Sequence, residues 1–249
     1  MEFHLHLCKE MEKINIIITA GGSGLRMGAD LPKQFLLLKE RPILFRTVEF
    51  FASLPVATAI YVVLPPLYID FWNELALKHN MLVPCTIING GLTRFHSVRN
   101  ALEVIVDGTI TAVHDGVRPL VSKEMVLRCF ELAKTHPAVV PVMEISESMR
   151  RCDEKGSVMV DRSLYRLIQT PQLFWTDKLK QAYKQGYLPS FTDDASVVER
   201  LGTTLFFTKG ELRNIKITTP EDLELANLLI PPAVNSTVLD PDLALDGLV

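Results

Sequence analysis

The chain has 249 residues, of which 48% are hydrophobic and 22% are charged, and its formal net charge is −3. This length and apolar content suit one large α/β domain with a full hydrophobic core, or one domain with an appendage. The charge excludes a global attraction to nucleic acid or an anionic membrane, so any anion must be bound by local charges. The four cysteines are scattered without a CxxC pair, which argues against a disulfide framework or a zinc site and favours the cytoplasm.

The two ends of the chain are predicted to be flexible extensions. Residues 1–12 contain three glutamates and lack the pattern of a signal peptide, and residues 231–249 are Pro, Asp and small residues without sustained periodicity. No run of 18 apolar residues occurs, so no membrane span is predicted. The sequence therefore predicts one domain at residues 13–230.

The first strongly patterned stretch combines a β-branched run with a glycine-rich loop. Residues Ile14–Ile18 predict a strand that is buried on both faces. The glycines that follow can adopt positive φ and let backbone N–H groups approach an anion. Arg26 and Lys33 add positive charge to the same loop. A polyphosphate is the ligand that this pattern favours, although the loop alone does not separate a dinucleotide from a nucleoside triphosphate.

Alternating strands and helices follow, which is typical of a parallel sheet. Thr93 and Ser122 are predicted helix caps. Strands are predicted at 59–64, 84–88, 110–113, 138–142, 204–208 and 214–218. Helices are predicted at 42–51, 66–79, 93–105, 123–136, 176–185 and 193–201, with a last helix after Pro220.

Residues 144–164 interrupt this alternation. Short β-prone pieces flank a turn at Glu154–Ser157, which predicts a hairpin arm that protrudes from the main sheet. A two-stranded hairpin is marginally stable alone. The arm is therefore expected to pack on another surface, and a second subunit is the first candidate.

Two polar segments lie where the predicted sheet would bind a ligand. A second glycine turn at Asn89–Val98 opens a helix, and its N–H groups and Ser97 could contact a base or sugar. His114–Pro119 follows an apolar strand directly, and ligands of open α/β sheets bind at the carboxyl ends of strands. His114 is interpreted as structural. For Asp115, capping of the next turn and contact with substrate or metal both stay open.

An ordered set of motifs carries a resemblance to a known family. The first are Ala20–Met27, Pro32–Gln34, Gly90–Ser97 and His114–Pro119, and these resemble nucleotidyltransferases of the cytidylyltransferase type. Three further motifs, at Thr170–Gln172, Thr192–Ser196 and Asn214–Thr218, make the stretch from Lys13 to Ile230 similar to the 2-C-methyl-D-erythritol 4-phosphate cytidylyltransferase family.

The resemblance implies a fold and a reaction. The fold would be a Rossmann-like α/β domain whose mostly parallel sheet carries helices on both faces and a β-hairpin arm that completes the partner's site in a homodimer. The reaction would join CTP and 2-C-methyl-D-erythritol 4-phosphate into 4-diphosphocytidyl-2-C-methyl-D-erythritol and pyrophosphate, in the non-mevalonate isoprenoid pathway. Mg²⁺, bound mainly through the CTP phosphates, would assist, and no metal ligand is assigned among the side chains.

The resemblance also assigns residues. Arg26 and Lys33 would stabilise charge on the nucleotide phosphates, while Lys216 and Arg162 would hold the sugar phosphate. Asp115, Arg118 and Ser148 would contact the sugar alcohol, with Ser148 and Arg162 serving the neighbouring subunit. The predicted nucleotide-binding residues are Ala20, Gly21, Gly22, Gly24, Gly90, Ser97 and Gly116.

The chain departs from the family pattern at four of these motif positions. Gly22 and Gly116 replace residues that are often alanine or another residue, Leu92 stands where an acidic residue is common, and Ser148 stands where threonine is common. These departures affect the fine contacts more than the reaction.

The chemistry is consistent with the resemblance, because a phosphate oxygen that is ionised at neutral pH needs no strong general base. The main task is to align two anions and neutralise their charge, so direct displacement without a covalent intermediate is predicted. Three other functions fit the residues less well. A dinucleotide-dependent oxidoreductase would need a well-placed acidic residue beyond the glycines to bind the ribose, and this chain lacks one. A ribitol 5-phosphate cytidylyltransferase shares most motifs, and a non-catalytic nucleotide-binding protein is disfavoured by the four cationic residues Arg26, Lys33, Arg162 and Lys216.

Overall fold

The computed structural model describes residues 13–22 and 31–230. The two predicted extensions lie outside these ranges, and so do Gly24 and Arg26 of the glycine-rich loop.

The described residues form twelve strands and seven α-helices. The strands are β1 (Lys13–Thr19), β2 (Leu37–Leu38), β3 (Arg41–Pro42), β4 (Ala57–Leu64), β5 (Thr86–Asn89), β6 (Ile110–Asp115), β7 (Ala138–Glu144), β8 (Arg150–Asp153), β9 (Gly156–Met159), β10 (Arg166–Ile168), β11 (Gln172–Trp175) and β12 (Phe206–Lys209). The helices are α1 (Ile43–Ala52), α2 (Ile69–Lys78), α3 (Arg94–Leu102), α4 (Lys123–Ala133), α5 (Thr176–Tyr183), α6 (Asp194–Glu199) and α7 (Pro220–Leu229).

Eight of these strands form the central sheet, in the order β10-β7-β11-β6-β1-β4-β5, with β12 also paired to β7. Strand β1 pairs in parallel with both β4 and β6, and β4 pairs in parallel with β5. Strand β11 is antiparallel to both of its neighbours, β6 and β7. The predicted mostly parallel sheet is confirmed.

The alternating side chains of β1 explain why helices cover both faces of the sheet. Ile14, Ile16 and Ile18 belong to a cluster with the apolar faces of α1, α2 and α4. Ile17 belongs to a second cluster with α3, α5 and α6. All four isoleucines are fully buried, so the prediction of a strand buried on both faces is confirmed.

Most helices begin where the sequence predicts them. The Thr93 side chain accepts a hydrogen bond from the His96 N–H at the start of α3, and Ser122 accepts one from the Met125 N–H at the start of α4. Both predicted caps are confirmed. Both helices end three residues earlier than predicted, at Leu102 and Ala133.

The predicted strand at 214–218 is wrong. This segment forms no strand, and its groups bond to the loop after β6 instead: the Arg118 guanidinium donates to the Asn214 carbonyl at 2.8 Å, and the Ile217 N–H donates to the Val117 carbonyl at 2.9 Å. Lys216 is therefore held against that loop rather than on a strand.

Residues 144–164 contain the predicted hairpin. Strands β8 and β9 pair in antiparallel fashion, with Arg150 opposite Met159, and every residue of both strands is exposed. We call residues 144–164 the arm.

Within the described residues, no helix is long and apolar enough to cross a membrane.

Candidate active site

A cavity of about 280 Å³ opens at the carboxyl ends of β1, β5 and β6. This is the sheet edge where a parallel α/β fold binds its ligands. We call it the first cavity. Its lining residues are Thr19, Ala20, Gly21, Gly22, Lys33, Gln34, Pro65, Gly90, Gly91, Leu92, Thr93, Arg94, Ser97, Asp115, Val117 and Lys216.

The glycine-rich loop after β1 begins one wall of this cavity. The Gln34 side-chain amide donates to the Ala20 carbonyl at 2.8 Å, which ties the loop to the short helix at Lys33–Phe35. A Cβ atom added at Gly22 would lie 3.5 Å from Cε of Lys33. The largely buried Lys33 side chain therefore runs beside the start of the loop.

The second glycine turn forms the opposite wall. The Gly90 N–H donates to the Leu64 carbonyl at 2.7 Å, and a Cβ at Gly90 would come within 3.2 Å of the same oxygen, so the turn approaches β4 too closely for a side chain without adjustment. The Ser97 hydroxyl accepts a hydrogen bond from the Gly91 N–H at 3.1 Å. The Leu92 side chain is 96% exposed at the cavity rim, where it supplies no charge.

Asp115, the last residue of β6, is surrounded by cations. Its carboxylate lies 3.0 Å from Nζ of Lys216, 3.1 Å from Nε of Arg118 and 4.0 Å from Nε of Arg94. Burial opposes its ionisation, but the three cations outweigh that effect and hold the pKa of Asp115 well below its usual range. The side chain is therefore an anion that orders the positive groups around it.

His114 fixes the backbone beside this cluster. Its imidazole is fully buried, with Nε2 3.0 Å from the Arg118 carbonyl and Nδ1 3.2 Å from the Thr170 hydroxyl. That hydroxyl also accepts a hydrogen bond from the Asp115 N–H at 3.1 Å. Desolvation by burial lowers the pKa of His114 to about 4. The ring is neutral at physiological pH, which fits the structural role predicted for it.

A second cavity, of about 230 Å³, adjoins the first. Arg94, Asp115 and Lys216 line both cavities, so these three side chains form the wall between them. We call them the shared wall. The other residues that line the second cavity are Arg118, Ile168, Thr170, Gln172, Thr192 and Asp193.

The structure brings most of the predicted site residues to these two cavities. Ala20, Gly21, Gly22, Lys33, Gly90, Ser97, Asp115 and Lys216 line the first, and Arg118 lines the second. Gly116 lies behind the first cavity, where an added Cβ would come within 2.8 Å of Leu44 Cδ1 and 3.1 Å of the Thr19 carbonyl. Its described contacts are those of a packing position. Gly24 and Arg26 lie outside the described residues.

Ser148 and Arg162 line neither cavity of their own chain. Both belong to the arm and are exposed, and the Arg162 guanidinium donates to the Ser146 carbonyl of the same arm.

Sequence reasoning did not assign a role to Arg94, Gln34 or Thr192, all of which line a cavity. Arg94 could have been found, because it occupies the first position of a helix that directly follows a glycine turn after a predicted strand. Thr192 could also have been found, because it belongs to the Thr192–Ser196 motif of the family resemblance, and the packing of the loop before α6 brings it to the second cavity.

Few side chains at the two cavities could act as ligands of a metal ion. Among residues 13–22 and 31–230, no group of three or more His, Cys, Asp or Glu side chains is arranged to hold a metal ion. Asp115 is the acidic side chain that lines the first cavity in this part of the chain. Its carboxylate is already paired with cations.

Comparison with known proteins connects this geometry with one family. The family model described as 2-C-methyl-D-erythritol 4-phosphate cytidylyltransferase matches residues 14–231. A curated protein of that name from Bacteroides thetaiotaomicron is 47% identical over 218 residues, which are 88% of this chain and 100% of the relative. One from Porphyromonas gingivalis is 49% identical over 220 residues, covering 88% of this chain and 98% of the relative.

Solved structures of similar proteins share the fold. The 2-C-methyl-D-erythritol 4-phosphate cytidylyltransferase from Thermus thermophilus superimposes with a TM-score of 0.70 at 31% identity, covering 87% of this chain and 98% of that one. The 4-diphosphocytidyl-2C-methyl-D-erythritol synthase from Anaerococcus prevotii gives a TM-score of 0.75 at 25% identity, covering 90% and 97%. The Rossmann-like architecture predicted from the sequence is confirmed.

Proposed function

Because the chain belongs to the 2-C-methyl-D-erythritol 4-phosphate cytidylyltransferase family, we propose that it joins CTP and 2-C-methyl-D-erythritol 4-phosphate into 4-diphosphocytidyl-2-C-methyl-D-erythritol and pyrophosphate. This reaction supplies isoprenoid precursors by the non-mevalonate pathway. The proposed catalytic domain is residues 13–230, with the two ends as extensions.

The observation that carries this proposal is the pair of adjoining cavities with a charged wall in common. The first cavity has glycine turns whose backbone can approach a nucleotide, and it has Lys33 beside them. The second is smaller and is lined by Arg118, Thr170 and Thr192, which suit a phosphorylated sugar alcohol. A nucleotide in the first cavity and a sugar phosphate in the second would meet at the shared wall.

The proposed step is a direct displacement. An ionised phosphate oxygen of the sugar phosphate forms a bond to the α-phosphorus of CTP, the bond from that phosphorus to the β-phosphate oxygen breaks, and pyrophosphate leaves with the electron pair. No proton has to be removed from the attacking oxygen. The protein has to align two anions and to neutralise charge as it moves toward pyrophosphate. Lys33 and Arg26 would neutralise that charge, while Lys216 and Arg162 would hold the sugar phosphate.

We propose Mg²⁺ as the metal cofactor, bound mainly through the CTP phosphates. The small donor set fits such a role, because Mg²⁺ at nucleotide sites is typically held by one or two carboxylates together with substrate phosphates. Among the described residues, Asp115 is the carboxylate that lines the first cavity, and its pairing with three cations leaves the CTP phosphates as the main ligands of the ion. When bound, the ion would neutralise phosphate charge and help to orient the triphosphate.

Pyrophosphate release tests the reaction. The purified protein with CTP and Mg²⁺ is offered 2-C-methyl-D-erythritol 4-phosphate and, in a parallel assay, ribitol 5-phosphate. Release that depends on the first acceptor is expected, with little from the second. Silence with both acceptors would contradict the proposed activity, and a preference for ribitol 5-phosphate would move the protein to the pentitol phosphate enzymes.

We further propose that the protein is a cytoplasmic homodimer in which the arm reaches the partner's second cavity. Support comes from the exposed arm, which offers Ser148 and Arg162 to a surface outside its own chain. Its last residue, Leu164, is 79% exposed, and Tyr165, which follows it, is 45% exposed. The two proposed substrates are small and water-soluble, which fits a cytoplasmic enzyme. Cys85, Cys129 and Cys152 are free thiols, which fits a reducing compartment.

Mixing two inactive variants tests the shared site. If Arg162 acts in the partner's site, a heterodimer of Lys33→Ala and Arg162→Ala chains contains one doubly impaired site and one intact site. Random exchange of subunits makes half of the dimers mixed, so activity returns to roughly a quarter of the wild-type value. If Arg162 acts in its own chain, the mixture stays as inactive as its components.

A further inference from the structure

The Arg94 guanidinium connects two buried carboxylates. One of its terminal nitrogens lies 2.5 Å from Oδ2 of Asp194, and its Nε lies 4.0 Å from Oδ1 of Asp115. Asp194 has no exposed side-chain surface, and Asp115 has 9%. Burial disfavours the charged form of Arg94, but the two carboxylates more than compensate and raise its pKa. Arg94 is therefore a permanent cation at the shared wall.

Asp194 is itself held in place on its other side. The Tyr183 hydroxyl donates to Oδ1 of Asp194 at 2.6 Å, so each carboxylate oxygen has its own partner. The Tyr183 ring stacks on Phe95, with ring centroids 4.6 Å apart, and Phe95 follows Arg94 directly on α3. Tyr183 is 2% exposed. The contacts thus form a chain from α5 through α6 to α3 and the cavity wall.

The first turn of α6 is also fixed independently. Asp193 caps this helix by accepting a hydrogen bond from the Ser196 N–H at 2.9 Å. The Gln172 side chain donates to Asp193 at 2.8 Å and accepts from the Ala195 N–H at 2.9 Å. Asp194 therefore projects from a helical turn that is held by several hydrogen bonds. Neither Asp194 nor Tyr183 is among the residues that line the two cavities.

An ion pair whose carboxylate is fully buried and whose guanidinium is 29% exposed contributes little net stability, because desolvation offsets most of the attraction. Its firm consequence is geometric. A guanidinium paired with a buried carboxylate has few alternative orientations when the other oxygen of that carboxylate is held by a second donor, as Tyr183 holds Oδ1 of Asp194. Without Asp194, the Arg94 side chain would be free to turn toward Asp115 or into an anion-binding cavity.

We propose that Asp194, held by Tyr183, is a positioning residue for the reaction: it fixes Arg94 at the boundary of the two cavities and, through Arg94, the Asp115 carboxylate. The inference rests on the proposed transfer between two phosphorylated substrates. The charge of Arg94 then lies where the two substrates meet. Lys216 is held near Arg94 because both side chains pair with Asp115.

The test uses variants that change hydrogen bonding but not shape. In Asp194→Asn, we expect kcat/KM to fall about 100-fold, as for a displacement of about 1 Å at a reacting centre. In Tyr183→Phe, the ring and its stacking remain and one hydrogen bond is lost, so a fall of about tenfold is expected. Tyr183→Phe keeps the test valid if Asp194→Asn does not fold.

Tyr187→Phe is the matched control. Tyr187 contacts the same Phe95 ring, with centroids 5.9 Å apart, is 40% exposed, and makes no contact with Asp194 that corresponds to that of Tyr183. Its loss of a hydroxyl is expected to leave kcat/KM unchanged. A fall that matches that of Tyr183→Phe would indicate a general effect on the aromatic cluster and would overturn the proposal.

A double-mutant cycle distinguishes positioning from packing. If Asp194 and Tyr183 act through Arg94, adding Tyr183→Phe to an Arg94→Gln protein costs little further activity, whereas independent effects multiply. Crystal structures of the variants provide a readout that does not depend on turnover, since the Arg94 guanidinium should leave its position beside residue 194 while α6 stays in place. Multiplicative losses, or an unmoved Arg94 with unchanged kcat/KM, would overturn the proposal. An inactive wild-type protein would instead contradict the proposed function, and the structures would still decide the positioning role.

Discussion

The shared wall and the arm hold their charged side chains in opposite ways. At the shared wall, the Asp115 side chain is 9% exposed and forms ion pairs with cations from three segments of the same chain. In the arm, both strands are fully exposed, and Arg162 donates to the Ser146 carbonyl of the same hairpin.

The difference indicates which parts of the site one chain can preorganise alone. Charges that are fixed by several buried partners need no rearrangement during the reaction, which is the condition for electrostatic catalysis. A hairpin with no buried residue in either strand gains its order from a surface that it contacts. Folding of one chain is therefore expected to fix the side chains of the shared wall, whereas the arm is expected to become ordered only when two subunits associate.

Removal of Lys33 should produce the largest effect. Lys33→Ala is expected to lower kcat by about 100- to 1,000-fold, because it deletes a preorganised charge beside the glycine-rich loop. The thermal unfolding temperature should change little by comparison. Lys178→Ala, which removes an exposed lysine from α5, is the control and should retain full activity. A Lys33→Ala enzyme with wild-type kcat would refute the assignment of this loop to the phosphates.

The pH dependence of stability should report on His114, the buried residue that precedes Asp115 of the shared wall. The pKa of His114 is about 4 in the folded protein, against about 6.5 in an unfolded chain. Between these values the unfolded state binds a proton that the folded state does not. The free energy of unfolding should therefore fall as the pH falls, by about 3 kcal/mol in total from this residue.

Urea unfolding at pH 6.5 and pH 4.5 measures this contribution. The pKa of Asp115 is held well below its usual range, so its stabilising effect persists above the unfolded-state pKa and is lost only at lower pH. In His114→Gln, which keeps a donor near the Arg118 carbonyl, the loss of stability between the two pH values should be smaller. Equal losses in both proteins would show that His114 does not titrate in this way.

The sequence predicted the parts of the site that depend on local pattern. The buried strand β1, the glycine turns and the caps Thr93 and Ser122 follow from periodicity and from the conformational preferences of single residues, and all were predicted. The carboxyl end of β6 was also recognised as a ligand site, because an apolar strand leads directly into Asp115.

The missing parts depend on contacts between distant segments. Arg94 and Asp194 are 100 residues apart, and no local pattern predicts that they pair. Strand β11 has four residues next to Pro171, too few for a clear period, yet it occupies the middle of the sheet. The opposite error arose at 214–218, where alternating isoleucines indicated a strand although the neighbouring surface is a loop.

The arm should give the smallest effect on folding and a distinct effect on association. Met159 is 74% exposed on β9, so Met159→Ser is expected to change the free energy of unfolding by no more than about 0.5 kcal/mol. If the arm packs against a second subunit, the same change removes apolar contact area and raises the dimer dissociation constant about tenfold. Sedimentation measurements over a range of concentrations would report that constant. Leu228→Ser on α7, at a side chain that is 83% exposed, is the control and should leave dissociation unchanged. Equal dissociation of both variants and the wild type would assign the dimer contact to a surface other than β9.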